Sequence, residues 1–515
     1  LLSQRASNLV AVLAAGADDA PAIGAPDRRP LTHGELRKGI SSNIEALNGV
    51  GIGRGDRIAI VLPNGPEMAT AFLAAASAGT AAPLNPAYRA DEYRFYLSDL
   101  NASALIVQRG VETDARNVAK ELGVAVIELE PNGDAGAGAF TLDLSELSGR
   151  PAAAKGGNPE SDDIGLVLHT SGTTSRPKIV PLTHGNLAAT ARNIGNTLSL
   201  SADDICLNIM PLFHIHGLMA AVIASLAAGG EVVCTPGFNA LKFFAWLNEA
   251  NPTWYTAVPT MHQAILGRAD RNREIIEGSR LRLIRSSSAS LPRQVMTAME
   301  DAFGAPVIES YGMTEAAHQM TSNPLPPRPR KAGSVGVAAG PEVAIMSAGG
   351  EILGQGERGE VVIRGDNVTP GYESNPEANA TAFHEGWFRT GDQGELDDEG
   401  YLWITGRLKE LINRGGEKVS PLEVDEVLMD HPGVAQAVTF ALPHDKLGEE
   451  VAAAIVAREG QELSESELKD FAKTRLADFK VPRKIVILDE IPKGPTGKMQ
   501  RIGLAEKLGL VQPNG

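Results

Sequence analysis

Through the first two-thirds of the chain, apolar strand-like runs alternate with helical stretches, and this alternation restricts the fold more than any other feature. Arg57–Leu62 reads as a buried strand, Glu67–Ala78 as an Ala-rich helix and Asp91–Leu97 as a second helix; Ala104–Gln108 is a strand, Val118–Leu122 helical and Val124–Glu130 a strand again. Such a series predicts α/β layers around a mainly parallel sheet. Residues 131–160 are rich in Gly, Ala and Pro, lack periodicity, and are predicted to be a surface excursion. A second series follows. Leu187–Asn196, Gly217–Ala227 and Lys242–Ala250 read as helices, and Glu231–Cys234, Trp254–Ala257 and Arg282–Ser286 as strands.

The texture changes at Gly336–Gly371, where short β-rich runs between Gly-containing turns suggest a small antiparallel, barrel-like subdomain. Another boundary is predicted near Gly406–Lys409. Beyond it come a hairpin at Leu411–Lys418, helices at Pro421–Met429 and Ser464–Arg475, and strands at Ala435–Ala441, Val451–Ala457 and Lys484–Leu488. These suffice for an independent α+β domain. The expected division is a large region, residues 1–407, with two layered α/β subdomains plus the barrel-like one, and a small α+β domain, residues 408–515.

Composition bounds the function. A chain of 515 residues exceeds one ordinary core. With 43% hydrophobic and 21% charged residues it is globular, and its formal charge of −16 argues against sequence-independent binding to nucleic acid or anionic membranes. Cys206 and Cys234 offer neither metal spacing nor a disulfide framework. The longest apolar stretch, Leu218–Ala228, falls short of the ~20 residues a membrane span needs. The amino end has no signal core and Gln512-Pro513-Asn514-Gly515 is no peroxisomal address, so cytoplasm is the default expectation.

Chemistry concentrates first in His169-Thr170-Ser171-Gly172-Thr173-Thr174-Ser175-Arg176-Pro177-Lys178, directly after the apolar run Ile164–Leu168. Successive hydroxyls and N–H groups in a tight Gly-containing loop can wrap a polyphosphate, with Lys178 supplying charge; a plain polar turn has the same composition. A Walker A loop is excluded by spacing. Gly494-Pro495-Thr496-Gly497-Lys498 brings its glycines too close and has Met499 in place of the hydroxyl. Gly51-Ile52-Gly53-Arg54-Gly55 precedes a strand instead of following one, unlike a dinucleotide fingerprint. Neither G-x-S-x-G nor H-E-x-x-H occurs.

Five further segments follow in order: Asn208–His214, Tyr311-Gly312-Met313-Thr314-Glu315, Trp387–Asp392, Gly406–Ile412 and Pro495-Thr496-Gly497-Lys498. Together with the hydroxyl loop they resemble the adenylate-forming superfamily of acyl-CoA synthetases, luciferases and carrier-loading adenylation domains, over essentially the whole chain. The resemblance implies a two-step ligase. A carboxylate attacks the α-phosphate of ATP to give an acyl-adenylate and pyrophosphate, and a thiol, here coenzyme A, then displaces AMP. Both nucleophiles come from substrates, so positioning and charge neutralisation fall to the protein.

The resemblance also implies residue roles. Thr170, Ser171, Gly172, Thr173, Thr174 and Lys178 would hold the β- and γ-phosphates. Thr314 would contact the α-phosphate and Glu315 would bind Mg²⁺, although Thr-Glu could equally cap a helix starting near Ala316. Ala289, Glu309, Ser310 and Tyr311 would line the nucleotide, Tyr311 stacking on adenine. Asp392 would accept both ribose hydroxyls, and Arg407 would reach ribose or phosphate. Lys409 would be the hinge of a mobile C-terminal domain. Rotation about it would withdraw the catalytic Lys498 and bring Arg414, Gly415 and Gly416 to the pantetheine arm.

Acid specificity is expected from His214, Ser287, Ser288, Gly312 and His318. His214 and His216, two apart on what reads as an extended segment, should face the same side as a polar gate beside the acyl group; a metal pair would need a third ligand that is not evident. Buried hydroxyls and imidazoles disfavour a long or aromatic acyl chain, since unpaired buried polar groups cost about 1–3 kcal/mol each. They suit a short acid with an anionic far end. The hydroxyl loop, Ser286–Ser290, Ser322–Pro326 and Leu411–Lys418 resemble plant and fungal oxalate–CoA ligases, which implies oxalate as substrate, its second carboxylate on Ser288 and His318. A coumarate-ligase-like acid or a carrier-protein acceptor are the alternatives. Ser175 and Ile179 stand where the family loop usually has glycines, and Ile179 would be strained at a positive φ.

Overall fold

The computed structural model describes residues 6–170, 177–493 and 499–511. A nine-stranded sheet runs in the order Val337–Ala338, His318–Ser322, Val307–Met313, Leu283–Ser286, Trp254–Ala257, Ile205–Asn208, Glu231–Cys234, Pro21–Ala25 and Arg28–Thr32. Its six central strands, Val307–Met313 to Pro21–Ala25, pair in parallel, and antiparallel strands close both edges. A seven-stranded sheet has the order Phe140–Asp143, Ala125–Pro131, Ala104–Gln108, Arg57–Val61, Thr80–Pro83, Ile164–Thr170 and Lys178–Thr183, again with a parallel centre and antiparallel edges.

Between the two sheets lies the helix Pro66–Ala78, which touches strands of both. Proline at its first position supplies the fixed φ a helix start requires. Every residue of it except Glu67 is buried, which explains its alanines: a helix packed on all sides has no room for longer side chains. Its Phe72 and Leu73 join Ile23, Val232, Ile58 and Leu166 in one continuous core spanning both sheets.

The expected α/β class therefore holds, with two corrections of detail. Residues 131–160 are not wholly irregular, because Phe140–Asp143 pairs antiparallel with Ala125–Pro131. Gly217–Ala227 is not one α-helix. His216–Ile223 is π-helical and only Ala224–Ala227 is α. A Cβ at Gly217 would stand 2.4 Å from the carbonyl oxygen of Pro211, so glycine permits the close approach at the start of this wider turn.

The β-rich middle is a five-stranded antiparallel sheet of Glu342–Met346, Gly359–Arg364, Phe383–His384, Trp387–Leu396 and Leu402–Arg407. The C-terminal sheet contains Glu417–Val419, Ile412–Arg414, Gly448–Ala457, Val434–His444 and Lys484–Ile487. The helices Pro421–Met429 and Glu465–Lys473 contribute Val424, Leu428, Leu468 and Ala472 to its separate core. Among the described residues, no helix is long and apolar enough to cross a membrane.

Ala75, fully buried in the helix between the sheets, tests that packing. Ala75→Leu should lower the unfolding free energy by about 1–3 kcal/mol in a denaturant titration; an unchanged midpoint would mean the helix has space around it.

Candidate active site

Polar side chains gather at the carboxyl ends of adjacent parallel strands, where an α/β sheet leaves its crevice. Trp254–Ala257 delivers Thr256, Leu283–Ser286 runs into Ser287 and Ser288, and Val307–Met313 runs into Thr314 and Glu315. The segment after Ile205–Asn208 supplies His214 and His216.

Three of these side chains form a compact set, Thr256 and His216 fully buried and Ser288 half-buried. The His216 Nδ1 lies 3.0 Å from Ser288 Oγ and its Nε2 lies 2.6 Å from Thr256 Oγ1. The His318 ring packs edge-on against His216, with centroids 4.9 Å apart. Ser288 has φ +75°, while Ala317 and His318 have φ +47° and +110°. Left-handed backbone at such residues costs about 1–3 kcal/mol each and collects where side chains must be aimed. Ser287 donates to the Ser310 carbonyl at 2.9 Å. Gly312 lets the antiparallel return approach, since a Cβ there would sit 1.8 Å from the His318 carbonyl oxygen.

The structure corrects the expected pairing of His214 and His216. Ile215 is helical, not extended, so the two rings diverge. His214 is half-buried and its Nδ1 accepts from the His216 backbone N–H at 3.3 Å, whereas His216 is fully buried against Thr256 and Ser288. Both ring nitrogens of His216 face hydroxyls, a geometry unlike that of a metal ligand. The helix that Thr314-Glu315 could alternatively have capped is absent: a 3₁₀ turn, Thr314–Ala316, leads straight into the strand His318–Ser322.

A second cluster centres on Glu315. It is buried, its Oε1 accepts from the Tyr372 hydroxyl at 2.8 Å, and burial raises its carboxyl above the ordinary carboxylate range. The Lys178 ammonium stands over the Tyr372 ring, 4.2 Å from its centroid. Tyr372 thus touches both a predicted metal-binding carboxylate and a predicted phosphate-binding lysine. Its own backbone is clamped at both ends by Asn379, at 2.8 and 2.7 Å. Nothing in the sequence marked this tyrosine, because Glu315 and Lys178 are more than fifty residues away.

Asp392 and Arg407 face each other across antiparallel strands, with Arg407 Nε 3.2 Å from Asp392 Oδ1. The Tyr311 hydroxyl donates to Asp392 Oδ2, placing Tyr311 as a partner of the predicted ribose ligand. A carboxylate has about four lone-pair positions, so Asp392 can keep both contacts and accept further donors. Glu309 lies beneath, buried, with Oε1 accepting from the Leu291 N–H at 2.9 Å, and burial raises its pKa to about 8. Ser310 donates to the Ser286 carbonyl at 3.3 Å, and Ala289 is exposed.

Thr170 pairs with Lys178 at the end of the hairpin Ile164–Thr170/Lys178–Thr183 where the chain passes between the strands, while Ser171, Gly172, Thr173 and Thr174 lie outside the described residues. Thr183 ends that hairpin with a capping box that starts the helix His184–Thr197. Ile179 sits inside the strand, paired with His169 and buried, so the predicted strain does not arise.

Lys409 is exposed in the turn after Leu402–Arg407, and Lys498 lies outside the described residues. Arg414 pairs with Glu450 at 2.6 Å. Gly415 and Gly416, at φ +61° and +100°, make a two-residue hairpin turn that needs left-handed backbone at both positions.

Known proteins resemble the chain over most of its length. Residues 11–373 match the AMP-binding enzyme family and residues 423–498 the AMP-binding enzyme C-terminal domain. The chain is 48% identical to a probable CoA ligase of Humulus lupulus, covering 92% of this chain and 91% of that protein. It is 46% identical to the oxalate–CoA ligase of Arabidopsis thaliana, over 92% and 95%. The ATP-bound structure of MatB from Rhodopseudomonas palustris superposes with a TM-score of 0.87 at 30% identity, covering 97% and 98%. The chain belongs to the AMP-binding enzyme family and is an AMP-forming acyl-CoA synthetase, an acid–thiol ligase that uses ATP and coenzyme A.

Buried Glu309 makes stability pH-dependent. Its folded pKa, about 8, exceeds its unfolded value, so its contribution is full below the unfolded pKa and declines as pH rises through about 8. Glu309→Gln should flatten that decline when unfolding is followed across this range. An identical pH profile for the two proteins would show that the carboxyl ionises freely.

Proposed function

We propose that the chain is an ATP-dependent oxalate–CoA ligase, forming oxalyl-AMP and pyrophosphate, then oxalyl-CoA and AMP. The observation that carries this reading is the set formed by buried His216 and His318 with half-buried Ser288 at the strand ends. These polar side chains are a poor lining for a long or aromatic acyl group. A second carboxylate would accept hydrogen bonds there, and Ser288 and His318 are its proposed contacts. The likeness to an oxalate–CoA ligase supports the same choice.

In the first half-reaction one carboxylate oxygen of the acid attacks the α-phosphorus of ATP in line, and pyrophosphate departs. Asp392 and Arg407 would hold the ribose, Glu309, Ser310, Tyr311 and Ala289 the base side, and Thr314 the α-phosphate. The loop from Thr170 through Ser171, Gly172, Thr173 and Thr174 to Lys178 would hold the leaving phosphates. His214, half-buried at the pocket edge, would gate the acyl group; Ser287 and Gly312 would shape its wall.

A Mg²⁺ carried by nucleotide phosphates needs only one or two carboxylates from a protein, and the single buried Glu315 beside Lys178 fits that demand. When bound, the ion would neutralise phosphate charge. Lys498 would offset the mutual repulsion of the acid carboxylate and the α-phosphate.

In the second half-reaction the coenzyme A thiol attacks the acyl carbon and AMP leaves. A domain of residues 408–515 would turn about Lys409 against residues 1–407, presenting Arg414, Gly415 and Gly416 to the pantetheine arm.

The test is oxalate-dependent pyrophosphate release followed by coenzyme A-dependent thioester formation. Oxalate should exceed hexanoate and coumarate in kcat/KM; equal turnover of the three would contradict the specificity, and pyrophosphate without thioester would indicate carrier loading. Lys498→Ala should slow adenylation by about 10²–10³-fold. His318→Ala should raise the oxalate KM about tenfold with little change for ATP, and an unchanged oxalate KM would remove His318 from the pocket.

A further inference from the structure

Arg285 is fully buried on the strand Leu283–Ser286, directly before the serine run. Among the described residues no carboxylate forms an ion pair with it. Its Nη1 donates to Thr256 Oγ1 at 3.4 Å, its Nη2 donates to Gln319 Oε1 at 3.3 Å, and its Nε has no hydrogen-bond partner. Burial pulls its pKa down to about 9, so the guanidinium remains a cation at neutral pH. A buried cation without an anion is an expensive feature of a core, and a structural arginine would be expected to bring its carboxylate with it.

The donor and acceptor inventory shows what this one does. A guanidinium can only donate, so Thr256 Oγ1 accepts from Arg285 and has its own hydrogen to place. Among the described residues Thr256 Oγ1 has no third partner, so its hydrogen goes to the atom 2.6 Å away, His216 Nε2, which accepts it. With Nε2 accepting, the ring proton sits on Nδ1 and points at Ser288 Oγ, 3.0 Å away. Ser288 then accepts from His216, which leaves its hydroxyl hydrogen to donate outward. Gln319 obeys the same constraint. Its oxygen faces Arg285, while its amide nitrogen donates to Thr197 Oγ1 at 3.1 Å and the Ala339 carbonyl at 3.0 Å.

We propose that Arg285 is a positioning residue for acid specificity: through Thr256 and His216 it fixes Ser288 as a hydrogen-bond donor to the anionic far end of the acid. This rests on the reading of the substrate as a short dicarboxylate such as oxalate. The guanidinium also adds uncompensated positive charge behind the pocket, which favours an anion there over a neutral acyl end.

Thr256→Val keeps the shape of the side chain and removes the hydroxyl that relays the effect; Thr256→Ser restores it, and Arg285→Met removes the source. Thr256→Val and Arg285→Met should each raise the oxalate KM about tenfold while the ATP KM stays within about twofold, and Thr256→Ser should recover the wild-type value. Ring ¹⁵N shifts of His216 should show the proton on Nδ1 in the wild type and its redistribution in Thr256→Val. A wild-type oxalate KM in Thr256→Val, or a wild-type proton on Nε2, overturns the proposal. A wild type that ignores oxalate overturns the substrate reading instead, and the ring shifts then decide the role of Arg285 alone.

Discussion

Everything in the large N-terminal region depends on burying two parallel sheets on both faces at once. A strand covered on both sides can carry little but apolar residues, and Ile58–Val61, Leu105–Val107 and Val232–Cys234 are of that kind. The helix Pro66–Ala78 fits between the sheets with most of its side chains small and its few large ones, Met68, Phe72 and Leu73, buried in the core. Polar chemistry is thereby pushed to the carboxyl ends of the strands, where the backbone turns away and side chains can meet. Thr256, Ser288, Thr314 and Glu315 come together there for that reason and not through any proximity in sequence.

Where polar groups do enter the interior, hydrogen-bond accounting fixes their roles tightly. Arg285 orders Thr256 and Gln319, and Asn379 clamps the tyrosine that joins Glu315 to Lys178. Glu309 holds the loop behind the serine run through Leu291. Arg285 and Asn379 need not touch a substrate to matter. They decide which way the exposed groups at the strand ends point, and the left-handed backbone at Ser288 and His318 shows that the aim is held against a conformational cost.

Much of the fold was legible because period and punctuation act locally. Ala104–Gln108, Glu231–Cys234, Trp254–Ala257 and Pro421–Met429 have the bounds that their apolar spacing and flanking residues predict. The ordered motifs likewise identified the family. Illegible were the places where a tertiary contact overrides local preference. Ile179 looked strained only while its position was read as loop; pairing with His169 makes it an ordinary strand residue. His216 was read as half of an extended pair, yet the π-helical turn after Ile215 sends it into the core. Arg285 looked like part of a strand, and Tyr372 drew no reading, because their partners at Thr256, Gln319 and Glu315 lie on other elements.

The central claim is that the strand ends form one continuous site, with nucleotide at Asp392 and the acid's far end at His216, Ser288 and His318. A crystal structure with a non-hydrolysable oxalyl-adenylate mimic tests it most directly. The ribose hydroxyls should lie on Asp392, and the terminal carboxylate within hydrogen-bond distance of Ser288 Oγ. A nucleotide bound at Asp392 with the acyl end directed away from these three residues would contradict it.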